Sequence, residues 1–246
     1  MPVFSVDPIS VFDMMADAMK ITRRPFHPLI SVLVFIALSV AAQIAPTPPA
    51  QPAEIEAAYT LAIDKRVTAI IAALEIKDEA KDRRVTRILT NQYRSLRARD
   101  EVLDAKLKAG AKDANGAKLN RAALFQEMSK PLHDEFLKKL ASELTPAQIE
   151  TVKDKMTYNK VKVTYDAYCT IVQGLKDEEK AKVLEELKAA REEAIDGGSA
   201  DEKTVIFQKH KDAINAWLNG RGYDVARATR EWEARQEQAK KKEDAK

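Results

Sequence analysis

The chain has 246 residues, of which 45% are hydrophobic and 32% charged, and its formal net charge is +3. Acidic and basic residues are mixed along its whole length, which excludes the concentrated basic face of a nucleic-acid binder. Seven Gly leave few positions for the turns of a β-rich fold, and the one cysteine, Cys169, excludes an intramolecular disulfide.

The N-terminal region reads as an address. From Met19, a basic stretch (Lys20, Arg23, Arg24) precedes an apolar run from Leu29 to Val40 and the small residues Ala41 and Ala42. That run is shorter than the ~20 residues of a membrane span, so residues 1–42 are expected to be a cleaved signal peptide. Asp7, Asp13 and Asp17 fit poorly in a basic leader, which leaves Met1 and Met19 both open as the start. No cysteine lies near the cleavage region to carry a lipid. The expected location is periplasmic or secreted, with no membrane in the mature form. Residues 43–53 form a Pro-rich linker, 54–235 a helical domain and 236–246 a charged tail.

Ile55, Tyr59, Ala62, Ile63, Val67, Ile70, Ile71 and Leu74 keep the i, i+3/i+4 spacing of an amphipathic helix. A second helix is expected from about Asp78 to Leu107, through Val85, Ile88, Leu89, Leu96, Val102 and Leu103. A loop at 109–118 follows, then a helical stretch over about 120–142 in which Pro131 should produce a kink or a split.

Leu144-Thr145-Pro146-Ala147-Gln148 carries three start signals at one boundary. Thr145 and Gln148 form a capping box, Pro146 takes the first helical position, and Leu144 and Ile149 make a hydrophobic staple. Similar starts occur at Ile76-Lys77-Asp78 and Leu175-Lys176-Asp177. They fit either a degenerate helical repeat or the common grammar of helix starts. Asp196-Gly197-Gly198 should end the helix from Asp177 with a left-handed Gly, and Ser199 with Glu202 should box the next start. Asn219 to Gly222 turns the chain, and a last helix begins near Asp224. The fold class is all-α: a single-domain bundle of about seven or eight helices.

Three segments carry a family likeness: MTYNKVKVTYDAY (156–168), LKAAREEAIDGGSADEK (187–203) and FQKHKDAINAWLNGRGYDVARATREWEAR (207–235). Together they resemble the domain of unknown function 3826 family of exported bacterial proteins, over about Ala53 to Arg235. The resemblance implies a secreted helical protein with no established activity, some members being loosely described as sugar-binding. At Leu144–Gln148 the chain is also similar to the Leu-Thr-x-x-Gln motif of Spy/CpxP-type periplasmic chaperones.

No Gly-rich phosphate loop or nucleophile elbow occurs. His133 and His210 are too few and wrongly spaced for a His-based metal site, and His133-Asp134-Glu135 reads as a solvated face. No catalytic residue, metal or cofactor is expected. Arg191 falls on an apolar stripe and must be paired, Asp166 and Asp224 being candidate partners, and His210 reads as a satisfied core histidine. Tyr158, Asn159, Arg191, Asn215, Trp217, Tyr223 and Asp224 are the candidate ligand-binding residues, in which rings stack on sugars and polar groups bind hydroxyls or carboxylates. The role expected first is a non-catalytic binding or accessory protein, with an oligosaccharide or another envelope protein as partner. The alternatives are a chaperone-like client binder and a polysaccharide-active enzyme.

Overall fold

A computed structural model describes residues 52–110, 112, 118 and 120–244. The expected signal peptide and most of the linker lie outside the described residues. Eight helices occur among those described: α1 (Pro52–Leu74), α2 (Glu79–Lys108), α3 (Arg121–Ala141), α4 (Pro146–Met156), α5 (Lys160–Ile171), α6 (Asp177–Ala194), α7 (Ala200–Gly220) and α8 (Val225–Asp244). The chain divides into two compact units at Thr60/Leu61, and the larger runs from Leu61 onward. None of the described helices is long and apolar enough to cross a membrane.

The closest-packed pairs are α2 with α3, α5 with α6, and α6 with α7. On α1 the buried residues are Ile63, Val67, Ile70 and Leu74, as the periodicity predicts. On α2 the buried stripe is Val85, Leu89, Gln92, Tyr93, Leu96, Arg99 and Leu103. Its 3–4 spacing seats Gln92 and Arg99 inside, so Val102, expected on that stripe, is 47% exposed. Apolar pattern alone misplaces the stripe by one residue there.

The start at Thr145 forms as expected. Gln148 N–H donates to Thr145 Oγ1 (3.3 Å), and Thr145 N–H donates to Gln148 Oε1 (3.1 Å). Gln148 Nε2 also donates to the Leu74 carbonyl at 3.1 Å, capping the end of α1, where Glu75 turns left-handed at φ 50°. One side chain thus satisfies a start and a stop. Arg84 clamps the same region with a two-pronged ion pair to Glu143 (2.8 and 3.0 Å).

Three expectations are corrected. α3 runs unbroken through Pro131, so of the expected kink or split the split does not occur. Pro131 and Glu127, whose carbonyl has no proline N–H to accept from, are both on the exposed side, so that carbonyl is not sealed in the core. At Asp196-Gly197-Gly198 neither glycine has positive φ. A Cβ on Gly197 would lie 3.0 Å from Lys203 Cγ, and one on Gly198 would overlap Asp100 Oδ2. These glycines are small because other elements press on them, not because the backbone is left-handed. The second box is shifted too: Ser199 Oγ accepts from Glu202 N–H (3.0 Å), but Glu202 reaches back to Gly198 N–H (2.9 Å).

The two similar starts at Asp78 and Asp177 differ in register. Asp78 caps α2 itself, accepting from Ala80 and Lys81 N–H. Asp177 is already inside α6, where Glu179 reaches back to Lys176 N–H (2.8 Å). Val85, Val152 and Val183 are nevertheless all fully buried.

Candidate ligand-binding site

The corner where α6 begins, α7 ends and α8 begins gathers rings and charges. Gly174, at φ 80°, lets the chain turn from α5 into α6, and Gly222, at φ 93°, does so between α7 and α8. Arg221, the residue after α7, holds its guanidinium 5.5 Å from the centre of the Trp217 ring, one turn earlier. The same guanidinium pairs with Glu178 (2.8 Å) and Glu179 (3.5 Å) of α6. The Tyr223 hydroxyl lies 2.6 Å from Glu179 Oε2 and 3.0 Å from the Gly174 carbonyl.

Glu179 is the hinge of this arrangement and is itself buried. The Tyr223 hydroxyl, the Lys176 N–H and Arg221 hold its carboxyl below the ordinary range, while the phenol of Tyr223 is pushed up by the carboxylate it faces. Both therefore keep one protonation state through neutral pH. The result is a fixed platform: a half-buried indole and a half-buried phenol, with an exposed Arg221 and an exposed Glu178 at the rim. Asp224, also exposed, caps α8 by accepting from Arg227 N–H (2.9 Å). Trp217, Tyr223 and Asp224 are thus neighbours along this corner.

The other candidate residues lie elsewhere. Tyr158 and Asn159 form the break between α4 and α5, both left-handed at φ 58° and 55°, and the Tyr158 side chain is 39% exposed. Asn215 accepts from the Tyr168 hydroxyl at 2.7 Å, which ties α7 to α5. Arg191 is buried, and its partners are Asp154 (2.6 Å) and Glu150 (2.5 Å) of α4 and its neighbour Glu192 (3.2 Å). Asp166 and Asp224 are not its partners; Asp166 pairs with Lys162. Burial disfavours the Arg191 charge, yet the two α4 carboxylates outweigh it and push its pKa up. His210 meets Glu186 (2.7 Å) and Glu193 (3.1 Å), so its ring is satisfied by carboxylates of α6. Cys169 is half-buried.

A second polar centre was not visible in the pattern of residues. Arg99 donates to Ser129 Oγ and the Asp196 carbonyl, both at 2.7 Å, and to Asp100 Oδ1 at 3.0 and 2.6 Å. Its guanidinium also sits 4.4 Å from the centre of the Phe125 ring. His133 Nδ1 lies 2.9 Å from Asp196 Oδ2, which corrects the solvated-face expectation: only Asp134 and Glu135 face water, paired with Lys130 and Lys139. The hydrogen bond with Asp196 raises the His133 pKa against the opposing effect of burial. Lys203 Nζ donates to the Ala194 carbonyl at 2.8 Å, ending α6, and burial pushes its pKa down to about 8. This centre holds the 196–199 loop against α2 and α3. His133 and Asp196 have the geometry of a base and its orienting carboxylate, but Ser129 spends its hydroxyl oxygen on Arg99. The one legible signal was the pair of glycines, which marks a close approach without naming what approaches.

Among the described residues no group of three or more His, Cys, Asp or Glu is arranged to hold a metal ion. The profile of a family described as "Protein of unknown function (DUF3826)" matches residues 60–238. No curated protein matches the chain.

Proposed function

The chain belongs to the DUF3826 family, and from that premise we propose that it is an exported, non-catalytic binding protein whose ligand is an oligosaccharide. The carrying observation is the platform at Trp217, where Arg221 grips one ring and two carboxylates at once and Tyr223 locks the deeper of them. An indole held in place this way offers a stacking surface at little cost in side-chain entropy, and the rim of Arg221 and Glu178 supplies donors and acceptors for hydroxyls. Asp224 extends the rim. From Leu61 onward, the large apolar side chains exposed among the described residues are Leu61, Val102, Tyr158 and Val205, which fall on α1, α2, the α4–α5 break and α7. That spread favours a ring platform over the continuous apolar cradle of a client-binding chaperone.

An array of neutral and acidic oligosaccharides tests the proposal. Wild type should retain a defined subset, and Trp217→Ala should retain none while keeping its helical content. A blank array, together with suppression of aggregation of an unfolded client protein, would favour the chaperone instead.

A further inference from the structure

Three of the four buried cations among the described residues are compensated. Arg99 has Asp100, Arg191 has Glu150 and Asp154, and Lys203 has the carbonyls at the end of α6. Two lysines, Lys160 on α5 and Lys211 on α7, have no carboxylate in contact. Lys211 is 8% exposed, and its ammonium donates only to the neutral Gln208 Oε1 (3.1 Å). Lys160, half-buried at the start of α5, donates only to Thr204 Oγ1 (3.3 Å), with the Phe207 ring 5.9 Å from its nitrogen. Among the described residues neither ammonium has a carboxylate within ion-pair distance. Asp212, whose charge acts on Lys211 without an ion-pair contact, accepts instead from Gln208 Nε2 (2.7 Å).

A third group points the same way. Thr164 lies one turn after Lys160 and one before Tyr168 on α5, and Tyr168 packs its hydroxyl against Lys211 and Asn215 of α7. The α5 contacts advance along α7 in step, from Thr204 and Phe207 at Lys160 to Lys211 and Asn215 at Tyr168. Thr164 therefore lies level with the stretch between Phe207 and Lys211. It is 3% exposed, and its hydroxyl is buried without a hydrogen-bond partner. A buried hydroxyl with no partner is costly, and so are two partly buried ammonium groups with no carboxylate in contact. Burial lowers the pKa of both lysines, and for Lys211 burial and the charge of Lys160 together outweigh the opposing charge of Asp212.

We propose that Lys160, Lys211 and Thr164 form a binding site for an oxyanion, the charged end of an acidic ligand, between α5 and α7. Two ammonium groups neutralise it, the Thr164 hydroxyl donates to it, and the half-buried Lys160 leaves it a way in from solvent. The site shares no residue with the Trp217 platform and stands whether or not that platform binds sugar.

Isothermal calorimetry of the full chain with inorganic phosphate, sulfate and acetate, each at constant ionic strength, tests this. Wild type should show saturable binding of at least one anion, and Lys160→Met and Lys211→Met should each abolish it. Thr164→Val, which leaves both charges, should weaken it. Binding of phosphate and sulfate alone assigns a tetrahedral group; binding of acetate as well assigns carboxylates too. Because Lys211→Met removes a buried charge with no carboxylate in contact, it should fold; if it does not, side-chain amine resonances of Lys160 and Lys211 in wild type should both shift saturably with phosphate. No saturable binding of any of the three anions, or binding retained in either folded lysine variant, overturns the proposal.

Discussion

Replacing Arg191 by Met separates a paired guanidinium from one that waits for a ligand. The guanidinium makes two short bonds to Asp154 and Glu150, whose side chains are 40% and 49% exposed, while Arg191 itself is 4% exposed. Breaking a fully buried pair costs about 3–5 kcal/mol, because a charge is stranded. Here the stranded carboxylates can rehydrate, so each bond is worth roughly 1 kcal/mol. Arg191 Nε is buried without a partner, and its removal offsets up to about 1 kcal/mol of that loss. The net expectation is a destabilisation of about 1–2 kcal/mol. For a chain of this length that lowers the melting temperature by roughly 2–8 °C. Thermal melts followed by far-UV circular dichroism read it directly. The pH dependence gives a second check. Burial raises the Glu150 carboxyl, but Arg191 and Lys153 overcome it and hold it below its ordinary value. Its contribution is therefore present above the unfolded-state pKa of ~4.3 and lost as pH falls through the lower folded-state value. Arg191→Met should flatten that acid limb. A variant that melts at or above wild type, with the acid limb unchanged, would refute the pairing.

Gly198→Ala should destabilise by about 1–3 kcal/mol, since its methyl group meets Asp100, and Asp100→Ala in the same chain should recover part of the loss in a chemical denaturation series. Lys203 is held at a pKa of about 8, below its unfolded-state value of ~10.4. Between those two values the unfolded chain binds more protons, so stability should rise with pH across that window, and Lys203→Met should lose this rise in melts taken at successive pH values. His133 has the opposite sign: its raised folded-state pKa gives stability that is complete below ~6.5 and lost as pH rises through the folded value, a slope His133→Gln should remove. Thr145→Ala should cost about 1 kcal/mol in the same denaturation assay, and Gln148→Ala more, because Gln148 also serves the Leu74 carbonyl.

Local signals carried well from sequence to structure, and tertiary ones did not. The cap at Thr145 was legible because its donors and acceptors are three residues apart and need nothing else to form. Arg191 was legible as a residue needing a partner, since its place on the stripe follows from helical spacing. Its actual partners on α4 were not, because spacing within one helix says nothing about which face of another arrives. Arg99 shows the limit most clearly: an arginine in a charged stretch of α2 gives no sign that Ser129 and the 196–199 loop will close over it. His133 failed for the same reason, its partner lying on that loop, 63 residues away. The Trp217 corner was half legible. Its rings stood out by type, but Glu179, which binds them together, looked like one more charge in an acidic helix start.

Trp217 and Trp232 are the two tryptophans of the chain, so Trp232→Phe leaves the platform indole as the sole strong emitter. Titrating that variant with the oligosaccharides retained on the array, and following its fluorescence, tests the central claim most directly. A saturable change in emission, abolished when Arg221→Ala frees the ring, is the predicted result. Emission that stays flat while the same oligosaccharide binds would place the ligand elsewhere on the protein and contradict the claim.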